Sequence, residues 1–162
     1  MKAILLFICL SLPVLVSFTT KPVPYFVEKT RLEIIEESTF TTDLLIEYLD
    51  TKYEGYSDVT LKQFICETGW FKSNRFVKKN NISGMKFPTK RATTAISKDN
   101  TGYAVFAHWT DSVDDYFLWL QSHIDKGRDV SNMYSFLVNV HYCSENSEYI
   151  KILKGIKLSR IC

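Results

Sequence analysis

Hydrophobic residues recur at helical spacing in two stretches of the first half of the chain. One stretch covers about residues 41–51 and has apolar residues on one side and acidic residues on the other. The other covers about residues 58–71, and Ser57 is placed as its N-cap. Its apolar positions are numerous enough for a largely buried helix. Because Glu67 lies among them, the pattern predicts a carboxyl group in apolar surroundings.

The spacing changes in the middle of the chain, where two segments have the composition of β-strands. These segments are residues 93–96 and 103–109, and they are rich in β-branched and aromatic side chains. Residues 99–102 between them read Asp-Asn-Thr-Gly, which is typical of a tight turn. The pattern therefore predicts a β-hairpin that follows the second helix.

Helical spacing returns in the last third of the chain. Ser112 and Asp115 form a capping-box-like start for a helix whose apolar face extends to Ile124. Two more helices are predicted, one around residues 133–140 and one around residues 145–157. The expected fold class is therefore α+β, with a mainly helical body and one small β-hairpin.

The first 20 residues differ in character from the rest of the chain. Lys2 precedes an apolar run over residues 3–16, which Pro13 interrupts. A helix that crosses a membrane needs about 20 apolar residues, and this run is shorter. The composition favours a cleaved signal peptide over a permanent anchor. We therefore expect export to the periplasm, cell envelope or medium, with no stable membrane span after cleavage.

Cleavage of residues 1–20 leaves a chain that begins near Lys21. Residues 21–40 are expected to be an N-terminal extension, and its part up to Thr30 contains two prolines and little periodicity. Residues 41–162 are expected to form one domain, since their number suits a single hydrophobic core. We expect this domain to be a monomer.

The net charge bears on nucleic-acid binding, and the cysteines bear on disulfide bonds and metal binding. A formal net charge of +2 gives no reason to expect a nucleic-acid partner. With Cys9 inside the signal peptide, Cys66, Cys143 and Cys162 remain, and three thiols cannot all pair within one chain. Their spacing matches no zinc pattern. We expect a buried free thiol at Cys66, no metal and no other cofactor.

A buried glutamic acid suits one particular kind of chemistry. Cleavage of a glycosidic bond needs a carboxylic acid that is still protonated near neutral pH, whereas an ordinary Glu has a pKa of about 4.3. Desolvation against apolar side chains raises that pKa, and Glu67 is flanked by Ile65, Cys66 and Trp70. A single Glu on a helix is nevertheless more often a solvated surface residue.

Four short motifs in a fixed order strengthen the interpretation of Glu67. They are Glu-Thr-Gly-Trp-Phe-Lys-Ser at residues 67–73, Asn-Asn-Ile-Ser-Gly-Met-Lys at 80–86, Asp-Ser-Val-Asp-Asp-Tyr at 111–116, and finally Tyr142 and Tyr149. In this order they resemble the glucosaminidase domains of bacterial endo-β-N-acetylglucosaminidases. The resemblance covers about residues 41–156.

The resemblance implies a lysozyme-like fold, in which a helical lobe bearing the acid faces a small β-lobe across a cleft. Glu67 would protonate the leaving oxygen of a β-1,4 bond between N-acetylglucosamine and N-acetylmuramic acid in peptidoglycan glycan strands. Ser83 replaces the aromatic residue that is usual in the family, and hairpin aromatics are candidate replacements. The expected sugar-binding residues are Trp70, Asn81, Ser83, Gly84, Met85, Tyr103, Trp109 and Tyr149.

The second catalytic group has more than one candidate. Glycosidases commonly use two carboxylates, and between Gly84 and Trp109 the sequence has one acid, Asp99. Asp99 is either a mobile general base or a turn former, for which Asp is favoured. The third possibility is that the acetamido group of the substrate assists the reaction. Tyr142 would then position the sugar or stabilise positive charge.

Two other functions fit the same motifs. A muramidase or lytic transglycosylase would use the same scaffold and cut the neighbouring bond, and a catalytically inactive domain would only bind peptidoglycan. A basic run also passes through the motif region, and it is either a rim that attracts an anionic wall or a solvated surface. Its members are Lys72, Arg75, Lys78, Lys79, Lys86, Lys90 and Arg91.

Overall fold

The computed structural model describes residues 29–143 and 147–158. The predicted signal peptide at residues 1–20 and most of the predicted extended lead-in at 21–30 lie outside these residues. The described helices and strands, in chain order, are α1 (Arg31–Glu37), α2 (Thr42–Lys52), α3 (Ser57–Thr68), α4 (Asn74–Lys79), β1 (Ser97–Lys98), β2 (Ala104–Val105), α5 (Trp109–Ile124), α6 (Met133–Asn139) and α7 (Tyr149–Gly155).

The predicted α+β, lysozyme-like architecture is confirmed: a helical body carries a small antiparallel sheet. Helix α3 lies at the centre of the body, where it contacts α2 and α7. Its buried positions form one core with residues from the other helices. The bulkiest fully buried side chains of that core are Trp109, Tyr48, Tyr116, Phe64 and Phe136.

The N-terminal helix α1 belongs to this core. Thr30 caps it through a capping box with Glu33, which satisfies backbone N–H groups that have no partner within the helix. Ile35 is fully buried, and α1 packs on α2. Residues 31–37, which fall in the expected N-terminal extension, therefore pack with the domain.

The predicted hairpin is present, but each strand has only two residues. β2 lies within the predicted segment 103–109, whereas β1 follows the predicted segment 93–96, whose residues are not in a strand. Strands β1 and β2 pair antiparallel, with Ser97 opposite Val105 and Lys98 opposite Ala104. The backbone N–H of Gly102 donates to the Asp99 carbonyl at 3.1 Å and closes the turn. Lys86 forms an isolated antiparallel bridge with Tyr103. That bridge attaches the loop after α4 to the hairpin.

Helix boundaries were the least accurate part of the sequence-based prediction. The N-cap of α3 is Tyr56 rather than Ser57, and it makes no side-chain capping bond. The helix predicted to begin at Ser112 begins at Trp109, because the N-cap His108 forms a capping box with Asp111. The His108 ring also contacts the carbonyl of Ser38, a residue distant in sequence, at 2.8 Å, so the start of α5 is tied to a tertiary contact.

The motif residues around the loop after α4 hold it through buried polar contacts. The Ser112 Oγ accepts a hydrogen bond from the Ile82 backbone N–H at 3.0 Å. The Asn81 amide donates to the carbonyls of Met85 and Ala104, both at 2.8 Å. Buried polar groups need such partners, so these side chains fix the loop against both α5 and β2.

Asp115 makes the most buried ion pair among the described residues. Its side chain is fully buried, and it accepts two hydrogen bonds from the Arg91 guanidinium at 2.9 and 2.7 Å. The Thr93 hydroxyl donates to the same carboxylate at 2.5 Å. This bidentate pair joins the loop that precedes β1 to α5.

No helix within residues 29–143 and 147–158 combines the length and apolar character that crossing a bilayer requires.

Replacing Asp115 by Ala is expected to lower the free energy of unfolding by about 3 kcal/mol, because it leaves the Arg91 charge and the Thr93 hydroxyl without their acceptor in a largely buried place. Urea unfolding followed by circular dichroism measures the loss. Asp50→Ala is the matched control, since Asp50 is exposed on α2. Equal stability of the two variants would contradict the structural role of the pair.

Candidate active site

The end of α3 presents Glu67 to a cleft. Thr68 is buried, and its hydroxyl donates to the Phe64 carbonyl at 2.6 Å and accepts from the Phe71 backbone N–H at 2.8 Å. The helix then stops at Gly69, which has a left-handed backbone with φ of 54°. Glu67 therefore stands in the last turn, with the chain turning away from it immediately afterwards.

Two residues with side chains continue this left-handed turn. Trp70 and Phe71 have φ of 60° and 61°, a conformation that costs an L-residue roughly 1–2 kcal/mol. Phe71 packs against Phe40 with ring centroids 5.0 Å apart, and this contact offsets part of the strain. Trp70 is left 50% exposed. A large apolar ring at the surface beside a catalytic candidate is suited to stacking on a sugar.

The cleft beside Glu67 has a volume of about 240 Å³ and is open to solvent. Three parts of the chain form it: the end of α3, the loop after α4 with the start of β2, and the turn after α6. Its lining residues are Glu67, Gly84, Met85, Lys86, Tyr103, Tyr142 and Cys143. Among these lining residues, Glu67 provides the one carboxyl group.

The Glu67 carboxyl group is largely removed from water. Burial raises its pKa above the usual range, while a hydrogen bond from Tyr149 and the positive charge of Arg75 act in the opposite direction. The Tyr149 hydroxyl donates to Glu67 Oε1 at 2.8 Å. The position of Glu67 at the negative end of the α3 dipole adds to the upward shift. Such a carboxyl group can stay protonated and donate its proton.

Gly84 lies close to the other oxygen of the same carboxyl group. A Cβ added at Gly84 would lie 3.1 Å from Glu67 Oε2, and the backbone there has φ of +66°. Glycine adopts this conformation without strain. The absence of a side chain therefore allows the loop to close against the carboxyl group, and Asn81 holds that loop in place.

Two tyrosines lie together behind Glu67. The rings of Tyr142 and Tyr149 are stacked with centroids 5.8 Å apart. Burial raises the pKa of both phenols well above the usual value, and the nearby Glu67 carboxylate acts in the same direction. Both hydroxyls therefore stay protonated at any physiological pH. The Tyr142 hydroxyl donates to the Ser83 carbonyl at 3.2 Å.

Asp99, the other acid considered for the site, is engaged in the hairpin turn. One of its oxygens accepts from the Thr101 backbone N–H and hydroxyl and from the Tyr103 backbone N–H. The other oxygen is paired with Lys79. These contacts hold the pKa of Asp99 well below its usual range. The carboxylate has the contacts of a turn former, and it is not among the residues that line the Glu67 cleft.

Other expected sugar-binding residues also have structural contacts. Trp109 is only 2% exposed, and its indole N–H donates to the Ser38 carbonyl at 3.1 Å. The Trp109 ring lies in the core at the start of helix α5, and it is not among the residues that line the Glu67 cleft. Asn81 and Ser83 are each 1% exposed, so their side chains face the interior. The Ser83 hydroxyl contacts the Ser112 hydroxyl at 3.3 Å.

The structure therefore brings Glu67, Gly84, Met85, Tyr103 and Tyr142 together at one cleft, with Tyr149 behind Glu67. Trp70 lies outside the set of lining residues.

Three residues near the cleft were not singled out as site residues from the sequence. Lys86 and Cys143 line it, and Arg75 lies over the ring of Tyr103. Lys86 ends the second motif, so its position could have suggested a role. The side chains of Cys66 and Cys143 are thiols, both half-buried, and burial raises the pKa of Cys66. No cluster of His, Cys, Asp or Glu within the described ranges has a composition and geometry suited to a metal ion.

Replacing Tyr149 by Phe is expected to raise the pKa of Glu67 further. The Tyr149 hydroxyl stabilises the charged carboxylate, and its removal favours the protonated form. Titration of the Glu67 carboxyl carbon by NMR measures the shift. Tyr134→Phe is the control, because Tyr134 packs near Lys154 on α7 and not at the cleft. A lower or unchanged Glu67 pKa in Tyr149→Phe would refute this electrostatic assignment.

Comparison with known proteins agrees with the arrangement of the site. The Glucosaminidase family model, described as mannosyl-glycoprotein endo-beta-N-acetylglucosaminidase, matches residues 45–158. That match contains α3, the hairpin, and both tyrosines behind Glu67. No curated protein and no solved structure matches the chain. Since the matched segment is more than half of the 162 residues, the protein belongs to the Glucosaminidase family of glycoside hydrolases.

Proposed function

We propose that this protein is an exported peptidoglycan hydrolase that cleaves the β-1,4 bond after N-acetylglucosamine, with Glu67 as the general acid. The observation that carries the proposal is the Glu67 carboxyl group itself. It is buried enough for its pKa to be raised, yet it borders an open cleft. A group with both properties can hold a proton near neutral pH and deliver it to a bound substrate.

The proposed reaction begins with proton transfer from Glu67 to the glycosidic oxygen. The bond between that oxygen and the anomeric carbon breaks, and positive charge develops on the sugar ring. The leaving sugar takes the proton, so Glu67 becomes a carboxylate. Tyr149 then donates a hydrogen bond to a full negative charge, which stabilises the ionised state. In the second half of the reaction the Glu67 carboxylate accepts a proton from the attacking water.

For the group opposite Glu67, the contacts favour the substrate's acetamido group over Asp99. The Asp99 carboxylate is engaged by Lys79 and by the turn, and movement toward the cleft would break these contacts. The Tyr142 hydroxyl is beside the cleft and stays neutral. It can direct its oxygen toward a developing positive charge or orient the acetamido group. We therefore assign Tyr142 the positioning role and Asp99 a structural one.

The sequence supports export of the domain. The apolar run at residues 3–16 supports a cleaved signal peptide, which would deliver the domain to the peptidoglycan. We propose that the domain acts there as a monomer on glycan strands. The two alternatives on the same scaffold, muramidase or lytic transglycosylase activity and binding without catalysis, differ from the proposal in products and in turnover.

Glu67→Gln is expected to lower the rate of wall hydrolysis by about 100- to 10,000-fold, the usual contribution of a positioned general acid. Loss of turbidity of purified peptidoglycan measures the rate. Glu54→Gln is the control, since Glu54 is exposed after α2.

The Glu67→Gln variant should also be at least as stable as the wild type at neutral pH. A carboxyl group with a raised pKa contributes stability below its unfolded pKa and loses it as the pH rises through the folded value.

The outcomes of this experiment separate the alternatives. A new reducing-end N-acetylglucosamine supports the proposed bond, whereas a reducing or anhydro-muramic end identifies the muramidase or transglycosylase reaction. Equal activity of wild type and Glu67→Gln refutes the role of Glu67. If the wild type binds peptidoglycan but releases no product, the protein is a binding domain.

Tyr142→Phe is expected to lower kcat by about a hundredfold, which is the cost of losing one polar group that acts on the transition state. Asp99→Asn is expected to keep kcat within about twofold and to lower the unfolding temperature slightly, because it loses the ion pair with Lys79. Steady-state kinetics on soluble glycan strands and thermal unfolding measure the two effects. The opposite pattern, with kcat lost only in Asp99→Asn, would make Asp99 the second catalytic group.

A further inference from the structure

Two cationic side chains converge over one aromatic ring at the cleft. The Arg75 guanidinium carbon lies 3.4 Å from the centroid of the Tyr103 ring. The Lys86 Nζ lies 5.7 Å from the same centroid. Tyr103 and Lys86 both line the cleft that contains Glu67. This group, defined by Arg75, Lys86 and Tyr103, is called the cationic platform below.

Within the part of the chain that the structure describes, some members of the basic run form ion pairs, and others do not. Lys79 is paired with Asp99, and Arg91 is paired with Asp115. By contrast, the ion pairs found within residues 29–143 and 147–158 do not include Arg75 or Lys86. The two cations at the cleft thus have no carboxylate of the described chain within ion-pairing distance.

Stacking leaves the Arg75 donors available. A guanidinium that stacks on a ring places its face on the aromatic surface, while its N–H groups point outward in its own plane. Those N–H groups form a fork that matches the two oxygens of a carboxylate. The ring contact also restricts the rotamers of Arg75, so less conformational entropy is lost when an anion binds. Lys86, which is exposed, adds a second, mobile charge.

We propose that the cationic platform is a subsite for a carboxylate carried by the substrate, which gives the enzyme a preference for glycan strands with acidic substituents. The proposal rests on the proposed function. In peptidoglycan the carboxylate comes from one of two sources, the lactyl group of N-acetylmuramic acid or the peptide stem attached to it. Both present the same chemistry to Arg75 and Lys86, and they differ in distance from the sugar ring.

Binding to matched oligosaccharides tests the subsite without depending on turnover. The ligand is a short alternating strand of N-acetylglucosamine and N-acetylmuramic acid in three forms: with peptide stems, with free lactyl carboxylates, and with uncharged lactyl carboxamides. Calorimetry in the Glu67→Gln background gives Kd without cleavage. In that background Arg75→Gln and Lys86→Gln are each expected to weaken a carboxylate-bearing form on the order of tenfold. The carboxamide form should bind unchanged.

Two control variants separate this subsite from other effects of charge. Lys78→Gln removes one charge from the same helix as Arg75, at an exposed position, and should leave all three Kd values unchanged. Arg75→Lys keeps the charge without the fork and should restore part of the affinity for the carboxylate. Added salt should reduce the difference between charged and uncharged ligands.

Each outcome has a definite meaning. Weakening confined to the peptide-bearing form assigns the platform to the stem, and weakening confined to the peptide-free form assigns it to the lactyl group. Equal loss for the carboxamide form, or an equal effect of Lys78→Gln, overturns the subsite. The proposed function fails separately, when the wild type hydrolyses none of the three ligands and no purified peptidoglycan.

Discussion

The Glu67 carboxyl group stands in the last turn of α3, where burial favours its protonated form. The helix carries it between a core that excludes water and a cleft that admits a ligand. Tyr149 donates to one of its oxygens, and Gly84 lies against the other. Because a buried charge is costly unless it has partners, the elements that carry Tyr149 and Gly84 must fit this one group closely.

Opposing influences act on the pKa of that group. Burial raises the pKa and so favours the protonated form. Tyr149 and the charge of Arg75 counteract burial, which in the proposed reaction would allow the proton to leave and return. Arg75 therefore links two parts of the cleft, since its charge acts on Glu67 while its guanidinium stacks on Tyr103.

Many motif residues make buried contacts that build the cleft. Asn81 and Ser112 fix the loop that brings Gly84 to Glu67, and Asp115 anchors the segment that leads to the hairpin. Asp111 completes the cap of α5. Polar residues in buried positions need their partners to be in place, so a loop held in this way has one well-defined position. The position of this loop matters most beside the Glu67 carboxyl group, since a Cβ at position 84 would lie only 3.1 Å from its Oε2.

The sequence alone indicated the fold class, the order of the hairpin and of α2, α3, α5, α6 and α7, and Glu67 as the candidate acid, because these follow from hydrophobic spacing and from motifs that are local in the chain. It did not predict the short helices α1 and α4. It did not determine where Trp109 and Ser83 point, since both depend on packing against segments that are distant in sequence. Asp99 shows the same limit, because the sequence of a turn does not reveal whether its acidic side chain is mobile or held in an ion pair. In the structure Asp99 is paired with Lys79. Only the tertiary structure could bring Tyr149 to Glu67 and Arg75 to Tyr103, because hydrogen bonds and charge contacts depend on distances in space that spacing along the chain does not encode.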